Sequence, residues 1–485
     1  MKKVTYCISV LMLTTISLFF IFSTQSCRKT QDSKMLTFSS DQVVFDTIFT
    51  TIGSTYRTLS VRNPNNHTIK TDIILAGGNS SFYSLNVDGE PGTYFKNVEI
   101  PAKDSILIFI KVTINPQNQN NPFLVTDSII FRIGDNKQDV DLVAFGQDAN
   151  FIVGDTEFGT GSGIFYKIVA GENETVHWTS DRPYVIFGWA VVDEGGKLIV
   201  DEGTRVYLHN NGRLWVYQYG NIEVNGTAQN PVYFRSDTEL SSYHNDVDDA
   251  KWDRIWICEG TQDNVINHAI ISKAFVGIQV EPLSTDAAPI IASNTTYIKN
   301  TIIKFTQNAG IIGKRANLVI EDCVIADNGS GGIELSIGNF DLKHNTLYNQ
   351  FSGSPNRTTP ALYVSNYTID GYDKIIGNTN FTAVNSIFYG SLKTEVSFDK
   401  ENQAELNYQV ENCLYKAEND QTNFVNCIRN HDPLFKNTET KQLDLRINAN
   451  SPAINAGKSE VGVFSDILGN PFAAPPTIGA YEYGE

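Results

Sequence analysis

The run Asn245-Asp246-Val247-Asp248-Asp249-Ala250-Lys251-Trp252-Asp253-Arg254 is the densest group of chemically capable side chains in this chain. Asp246, Asp248 and Asp249 are hard oxygen donors of the kind Ca²⁺ takes, and Lys251 or Arg254 could then act on an anionic substrate. The run lacks the spacing and the glycine of an EF-hand-like loop. Trp252-Asp253-Arg254-Ile255-Trp256-Ile257 also reads as the start of a strand with a packing tryptophan, so a plain solvated loop fits the preceding acids as well. Trp215, Tyr217 and Tyr219 alternate, which puts them on one face of a strand. They fit either a stripe for stacking sugar rings or a packed face. Glu334 and Asp341 are acids that a fold could bring beside others. Hydrolysis of a glycosidic bond needs such a carboxyl pair at a set separation. The seven histidines are scattered, with His268 and His344 at or beside turns. No P-loop, GxSxG, HExxH or strand-following GxGxxG is present.

Cysteine chemistry divides by position. Cys7 and Cys27 fall in or just after an apolar N-terminal segment. Cys258, Cys323, Cys413 and Cys427 show no CxxC or histidine-paired metal spacing. Two readings stay open for the last pair: a Cys413–Cys427 bridge in an oxidising compartment, or buried thiols stacked in a β-core.

The elements that would hold these groups are strands. Phe and Tyr number 28 and 21 against 3 Met, a balance that favours sheets. Over residues 35–149, short alternating runs recur between turns. Ile106, Ile108, Ile110, Val112 and Ile114 fall on one face of a strand, and Asn63-Pro64-Asn65-Asn66 marks a turn. This spacing predicts a β-sandwich. From about residue 165 the pattern changes. Gly196 to Thr204 is echoed by Gly220 to Thr227, with the two Gly-Thr pairs 23 residues apart (203 and 226). A period near 22 is one coil of a parallel β-helix. Asn267, Asn300, Asp322, Asn345, Asn385 and Asn412 each open a similar four-residue pattern: a mostly small residue follows, then an apolar pair. Asn tolerates the left-handed conformation, so these six are expected to form a structural ladder at one corner of successive coils.

Several of these stretches resemble known families. Val61-Arg62-Asn63-Pro64, Ile100-Pro101-Ala102-Lys103-Asp104-Ser105 and Phe145-Gly146-Gln147 are similar to immunoglobulin-like domains of the ASH/MSP type. Asn225-Gly226-Thr227 with Asn230-Pro231-Val232-Tyr233-Phe234 resembles the entry coils of right-handed parallel β-helix proteins of the pectin-lyase-like superfamily. His431-Asp432-Pro433-Leu434-Phe435, Ser451-Pro452-Ala453-Ile454-Asn455 and Ile478-Gly479-Ala480-Tyr481 resemble the terminal cap of secreted members. The expected architecture is all-β: an immunoglobulin-like sandwich over 35–149, a right-handed parallel β-helix over 150–430, and C-terminal coils with a cap over 431–485. Members of that superfamily often cleave acidic polysaccharides along a flat sheet, with the chemistry on loops between coils.

Residues 1–26 read as an export signal, with Lys2 and Lys3 ahead of an apolar run from Ile8 to Phe22. Ser26 before Cys27 supplies the small residue a lipoprotein signal peptidase needs. The stretch resembles the relaxed lipoboxes of bacteroidete-type bacteria, which implies diacylation of Cys27, a tether over 27–34 and an outer-membrane address. Attachment would be through the lipid alone. Net charge is −17 and becomes −19 once Lys2 and Lys3 are removed; such acidity repels nucleic acid. Two functions are consistent with all of this. The first is a non-enzymatic envelope lipoprotein whose rigid rod binds an outer-membrane protein or a polysaccharide. The second is an envelope-tethered polysaccharide lyase or glycoside hydrolase. The only cofactor in view is Ca²⁺ at the acidic run.

Overall fold

A computed structural model describes residues 35–54, 56–237, 252–283, 293–350, 357–370, 373–439 and 442–484. The acidic run Asp246, Asp248, Asp249 and the export segment with Cys27 lie outside the described residues. The chain divides into two compact units.

The first unit is built on two five-stranded antiparallel sheets. One runs Thr37–Phe38, Arg57–Arg62, Ser105–Val112, Tyr83–Val87, Glu90–Gly92; the other runs Gln42–Phe49, Asn136–Gln147, Phe123–Ile133, Ile69–Leu75, Tyr94–Ile100. Phe38 of the first sheet meets Phe131 of the second at 4.7 Å, and Phe45 meets Tyr83 at 5.9 Å, so the sheets pack face to face. Ile108, Ile110, Val112 and Ile114 are fully buried, as their alternation requires. The two turn motifs meet at Asn63: its buried amide donates to the carbonyls of His67, Ile100 and Pro101, and its oxygen accepts from Asn65 N–H.

The second unit carries a 27-stranded sheet coiled on itself, with parallel pairing from coil to coil. Three strand rows recur. Row A includes Asn264–Asn267, Thr295–Lys299, Thr379–Val384 and Leu406–Glu411. Row B includes Ala269–Ser272, Ile302–Lys304, Val324–Ala326, Thr346–Asn349, Ile387–Gly390 and Leu414–Tyr415. Row C includes Ile255–Ile257, Ile278–Val280, Leu362–Ser365 and Val396–Asp399. The long strands Ile311–Glu321 and Ile333–Lys343 serve rows C and A in turn, bending at Arg315 (φ 52°) and Ile337 (φ 56°). Inward side chains such as Leu214, Ile255, Ile278, Ile311 and Ile333 stack into one continuous core. Each buried aliphatic of this size contributes roughly 1.5–3 kcal/mol. This is the fold class read from the sequence: all-β, with antiparallel sheets first and a parallel β-helix after them.

The corner between rows A and B differs in detail from the six-residue pattern. The left-handed residues are His268, Asn300, Asp322, His344, Asn385, Asn412 and Asn426, with φ between 48° and 54°. Asn300, Asp322, Asn385 and Asn412 stand where expected. Asn267 ends a row A strand opposite Lys299, one residue before the turn. Asn345 sits one residue after it, because Val324 pairs with Thr346. Residues 300, 322 and 344 are then 22 apart, two bare coils.

The inward position that follows each turn explains the small polar residue there. Thr301, Cys323, Asn345, Ser386, Cys413 and Cys427 stack as a second ladder. Cys323 N–H donates to Asn345 Oδ1 (3.0 Å), Asn345 N–H to Ser386 Oγ (3.1 Å), Ser386 N–H to Cys413 Sγ (3.3 Å) and Cys413 N–H to Cys427 Sγ (3.4 Å). A buried N–H that turns inward needs an acceptor, and the next coil's side chain supplies it. Cys258, Cys323, Cys413 and Cys427 are thiols in this structure.

The C-terminal segment does more than follow the last coil. It runs back along the outward face of row B: Ala453, Ile467, Ile478 and Ala480 pack on Val324, Ala326, Tyr348, Ile387 and Leu414. Gly479 N–H donates to Asn385 O, and Ala480 N–H donates to Thr346 Oγ1. Phe472 lies against His344, with ring centroids 3.9 Å apart.

Candidate functional site

Row B is covered by the tail from Ile302 onward, which leaves the outward faces of rows A and C. Row A is largely self-satisfied. Asn317, Asn339, Asn380 and Asn407 form an amide ladder with bonds of 2.8, 2.9 and 3.1 Å. Glu321 pairs with Lys299 at 2.8 Å and with Lys343 at 3.1 Å; Lys343 also reaches Asp341 at 3.1 Å. A hollow of about 420 Å³ lies here, lined by Asn317, Asn339, Asp341, Asn380 and Thr382.

Row C differs in two ways. From Asn267 onward the A-to-B corner takes one or two residues, whereas the connections that bound row C carry the extra length. These include 281–294 between Val280 and Thr295, 350–361 between Asn349 and Leu362, and 366–378 between Ser365 and Thr379. The last holds an antiparallel hairpin, Tyr367–Asp370 with Asp373–Ile376. Row C also presents polar groups in consecutive coils along its outward face. Arg213 pairs with Asp253 (2.5 Å), which holds Arg254 (2.8 Å). Arg254 reaches Gln279, whose amide donates to Glu281 (2.6 Å). Glu281 faces Lys314 at 3.5 Å and Arg315 at 3.9 Å.

Beyond Lys314 the face opens into a hollow of about 290 Å³, where Lys314, Glu334, Ser336, Tyr363 and Tyr367 converge. Glu334 pairs in register with Tyr363. Burial pushes the Glu334 carboxyl up, opposed by the Ser330 hydroxyl at 3.2 Å and the Lys314 charge. Desolvation of this kind favours the protonated acid. Tyr367 donates to Asp399 at 2.6 Å, which holds its own hydroxyl proton on; Tyr363 lies 3.2 Å from both. Lys374 of the hairpin sits 3.9 Å from the Tyr367 ring centre.

The structure separates the residues singled out from the sequence. Arg254 and Glu334 fall on row C, whereas Asp341 falls on row A, so the two acids do not pair. Trp215, Tyr217 and Tyr219 do not form an open stripe. Trp215 faces outward, but it is only 5% exposed, because Trp256 stacks on it (18° between planes) and Phe158 meets it edge-on. Tyr217 is half-buried. Tyr219 sits in a turn at φ 61°, exposed. Trp252 is fully buried and donates its indole N–H to Ser272 O. His268 and His344 are corner residues. Tyr363, Tyr367 and Asp399 went unnoticed: Tyr363-Val364-Ser365 reads as an ordinary strand, and no local pattern shows that a hairpin folds Tyr367 back beside it. Among the described residues, no group of three or more His, Cys, Asp or Glu could hold a metal ion.

No protein-family profile matches this sequence. A search of curated proteins also gave no match. Among solved structures, the chain aligns with a family 123 glycoside hydrolase from Clostridium perfringens at 10% identity and TM-score 0.17, over 24% of this chain and 30% of that one. It aligns with a protein of unknown function from Porphyromonas gingivalis at 12% and 0.18, over 28% and 58%. It aligns with the catalytic domain of a GH87 α-1,3-glucanase in complex with nigerose at 11% and 0.20, over 78% and 88%. The chain thus spans under two thirds of the first two. Values this low say nothing about what this chain binds.

Proposed function

We propose that this protein is a lipid-anchored envelope protein that binds a polysaccharide along the outward face of row C. The supporting observation is the hollow where Lys314, Glu334, Ser336, Tyr363 and Tyr367 converge from adjacent coils and a hairpin. Hydroxyl, ammonium and carboxyl groups beside tyrosine rings are what a sugar's hydroxyls and apolar ring face require. Further along the same face Arg254, Gln279 and Glu281 form a linked polar row that ends at Lys314, which suits an extended chain over a single ring. Lipidation at Cys27 would hold the rod at the outer membrane. A glycan array probed with the purified full-length chain tests the reading. Retention of a polysaccharide class by wild type and its loss in Tyr363→Ala and Lys314→Glu is expected. Equal retention by the variants would place binding elsewhere.

One observation favours a second reading as a glycoside hydrolase. The Glu334 carboxyl, raised by burial in an open hollow, has the character of a general acid. Reducing-sugar release from the retained glycan, abolished in Glu334→Gln, would establish it. Binding without release leaves the protein a glycan-binding rod.

A further inference from the structure

The aromatic group around Trp215 encloses a separate pocket. It measures about 240 Å³ and is lined by Phe158, Tyr166, Ile168, Val191, Asp193, Trp215 and Tyr217. Its position follows from the sequence. The strand Arg205–Val216 turns Leu214 and Val216 into the coil and Trp215 outward, and the same alternation on Tyr184–Val192 turns Val191 outward beside it. A short antiparallel pair, Thr156–Glu157 with Phe165–Ala170, brings Phe158 back over both.

The rings meet edge to face. Trp215 and Tyr217 meet at 89° with centroids 5.2 Å apart, Phe158 and Trp215 at 69° and 5.8 Å, and Phe158 and Tyr166 at 78° and 6.5 Å. Asp193 is the charged residue of the lining. Among the described residues no Lys, Arg or His lines the pocket. The other side of the same cluster shows how such rings are used: the Arg213 guanidinium lies 4.0 Å from the Trp189 ring centre and 5.0 Å from that of Trp256.

We infer that the box of Phe158, Tyr166, Trp215 and Tyr217, closed by Asp193, binds the quaternary ammonium group of a small organic cation. Ring faces carry partial negative charge, and rings set at steep angles around one hollow favour a round cation over a flat ligand. Asp193 adds a negative charge to the lining. A sugar would need one open flat ring and several hydrogen-bonding partners. A metal ion would need more than one carboxylate. Asp193 is anchored through its backbone, with N–H donating to Ala170 O.

The test uses the full-length chain with Cys27→Ser, followed by tryptophan fluorescence and calorimetry. Choline and tetramethylammonium are the probes, and 3,3-dimethylbutan-1-ol is the uncharged counterpart of choline. Saturable binding of both cations and none of the alcohol is expected. Asp193→Asn and Tyr217→Ala should each weaken choline by about tenfold or more. Ile168→Trp, at a position 46% exposed, should fill the pocket and abolish binding without touching the core. Equal binding of the alcohol, or unchanged choline affinity in Asp193→Asn and Ile168→Trp, would overturn the inference, as would failure of both cations to bind. Choline-competed sedimentation with phosphatidylcholine vesicles would identify a lipid headgroup as the source, and binding of choline without it would identify a free solute.

Discussion

Glu395→Gln should destabilise the β-helix more than its single-atom change suggests. Glu395 is fully buried and forms a two-point pair with Arg357, at 2.6 and 3.0 Å. It also accepts from the N–H groups of Ala361 (2.9 Å) and Leu392 (2.8 Å). Arg357 in turn donates to Asn349 O, Thr359 O and Ser391 Oγ. The pair therefore ties the 350–361 connection to the turn before the strand Val396–Asp399. Replacing the carboxylate leaves the guanidinium charge buried and uncompensated. Breaking one partner of such a pair costs roughly 3–5 kcal/mol. Urea unfolding followed by circular dichroism would show this as a lowered midpoint at unchanged slope. The double variant Arg357→Met/Glu395→Met removes the orphan charge but strands the Ala361 and Leu392 N–H groups, so it should recover only part of the loss. A loss below about 1 kcal/mol in Glu395→Gln would refute the reasoning, because it is the range of a solvent-exposed pair.

Other predictions follow from the corner ladders. Asn345→Ala removes the acceptor of Cys323 N–H and the donor to Ile320 O (2.8 Å) in a fully buried position. A loss of about 2–4 kcal/mol in the same assay is expected. His344 is held down to about 4 by burial against its ordinary 6.5. Its neutral form is the folded one, so its contribution is complete above pH 6.5 and is lost as pH falls toward 4, by about 3 kcal/mol. His344→Asn should flatten that part of the stability profile. Asp322 runs the other way: burial first, then Glu321 and Asp466, push it up to about 9. Its folded form is protonated, so stability from this group declines as pH rises from 3.8 through 9. Asp322→Asn should raise the midpoint at pH 7 and remove the decline.

Much of the fold was legible because it rests on local periodicity. The run Ile106 to Ile114 and the Gly-Thr echo at 203 and 226 each encode side-chain direction within one strand. The A-to-B corner was legible to within one residue. Asn tolerates a left-handed turn, but it also serves as an inward acceptor, as Asn345 does, and composition alone does not separate the two uses. His268 and His344 fill the turn where Asn was expected. The site was less legible, because it is assembled across coils. Glu334 and Tyr363 are 29 residues apart and meet only through register, and Tyr367 joins them only through a hairpin. Trp215 stayed open between two readings for a related reason: its alternation puts it on one strand face, but the cover by Phe158 comes from 57 residues upstream.

The most direct test of the row C reading is hydroxyl-radical footprinting of the full-length chain, with and without a polysaccharide that it retains. Protection of Tyr363, Tyr367 and Trp256, with Tyr297 of row A unchanged, is the predicted result. Protection of Tyr297 alone, or none on row C at saturating glycan, would contradict it.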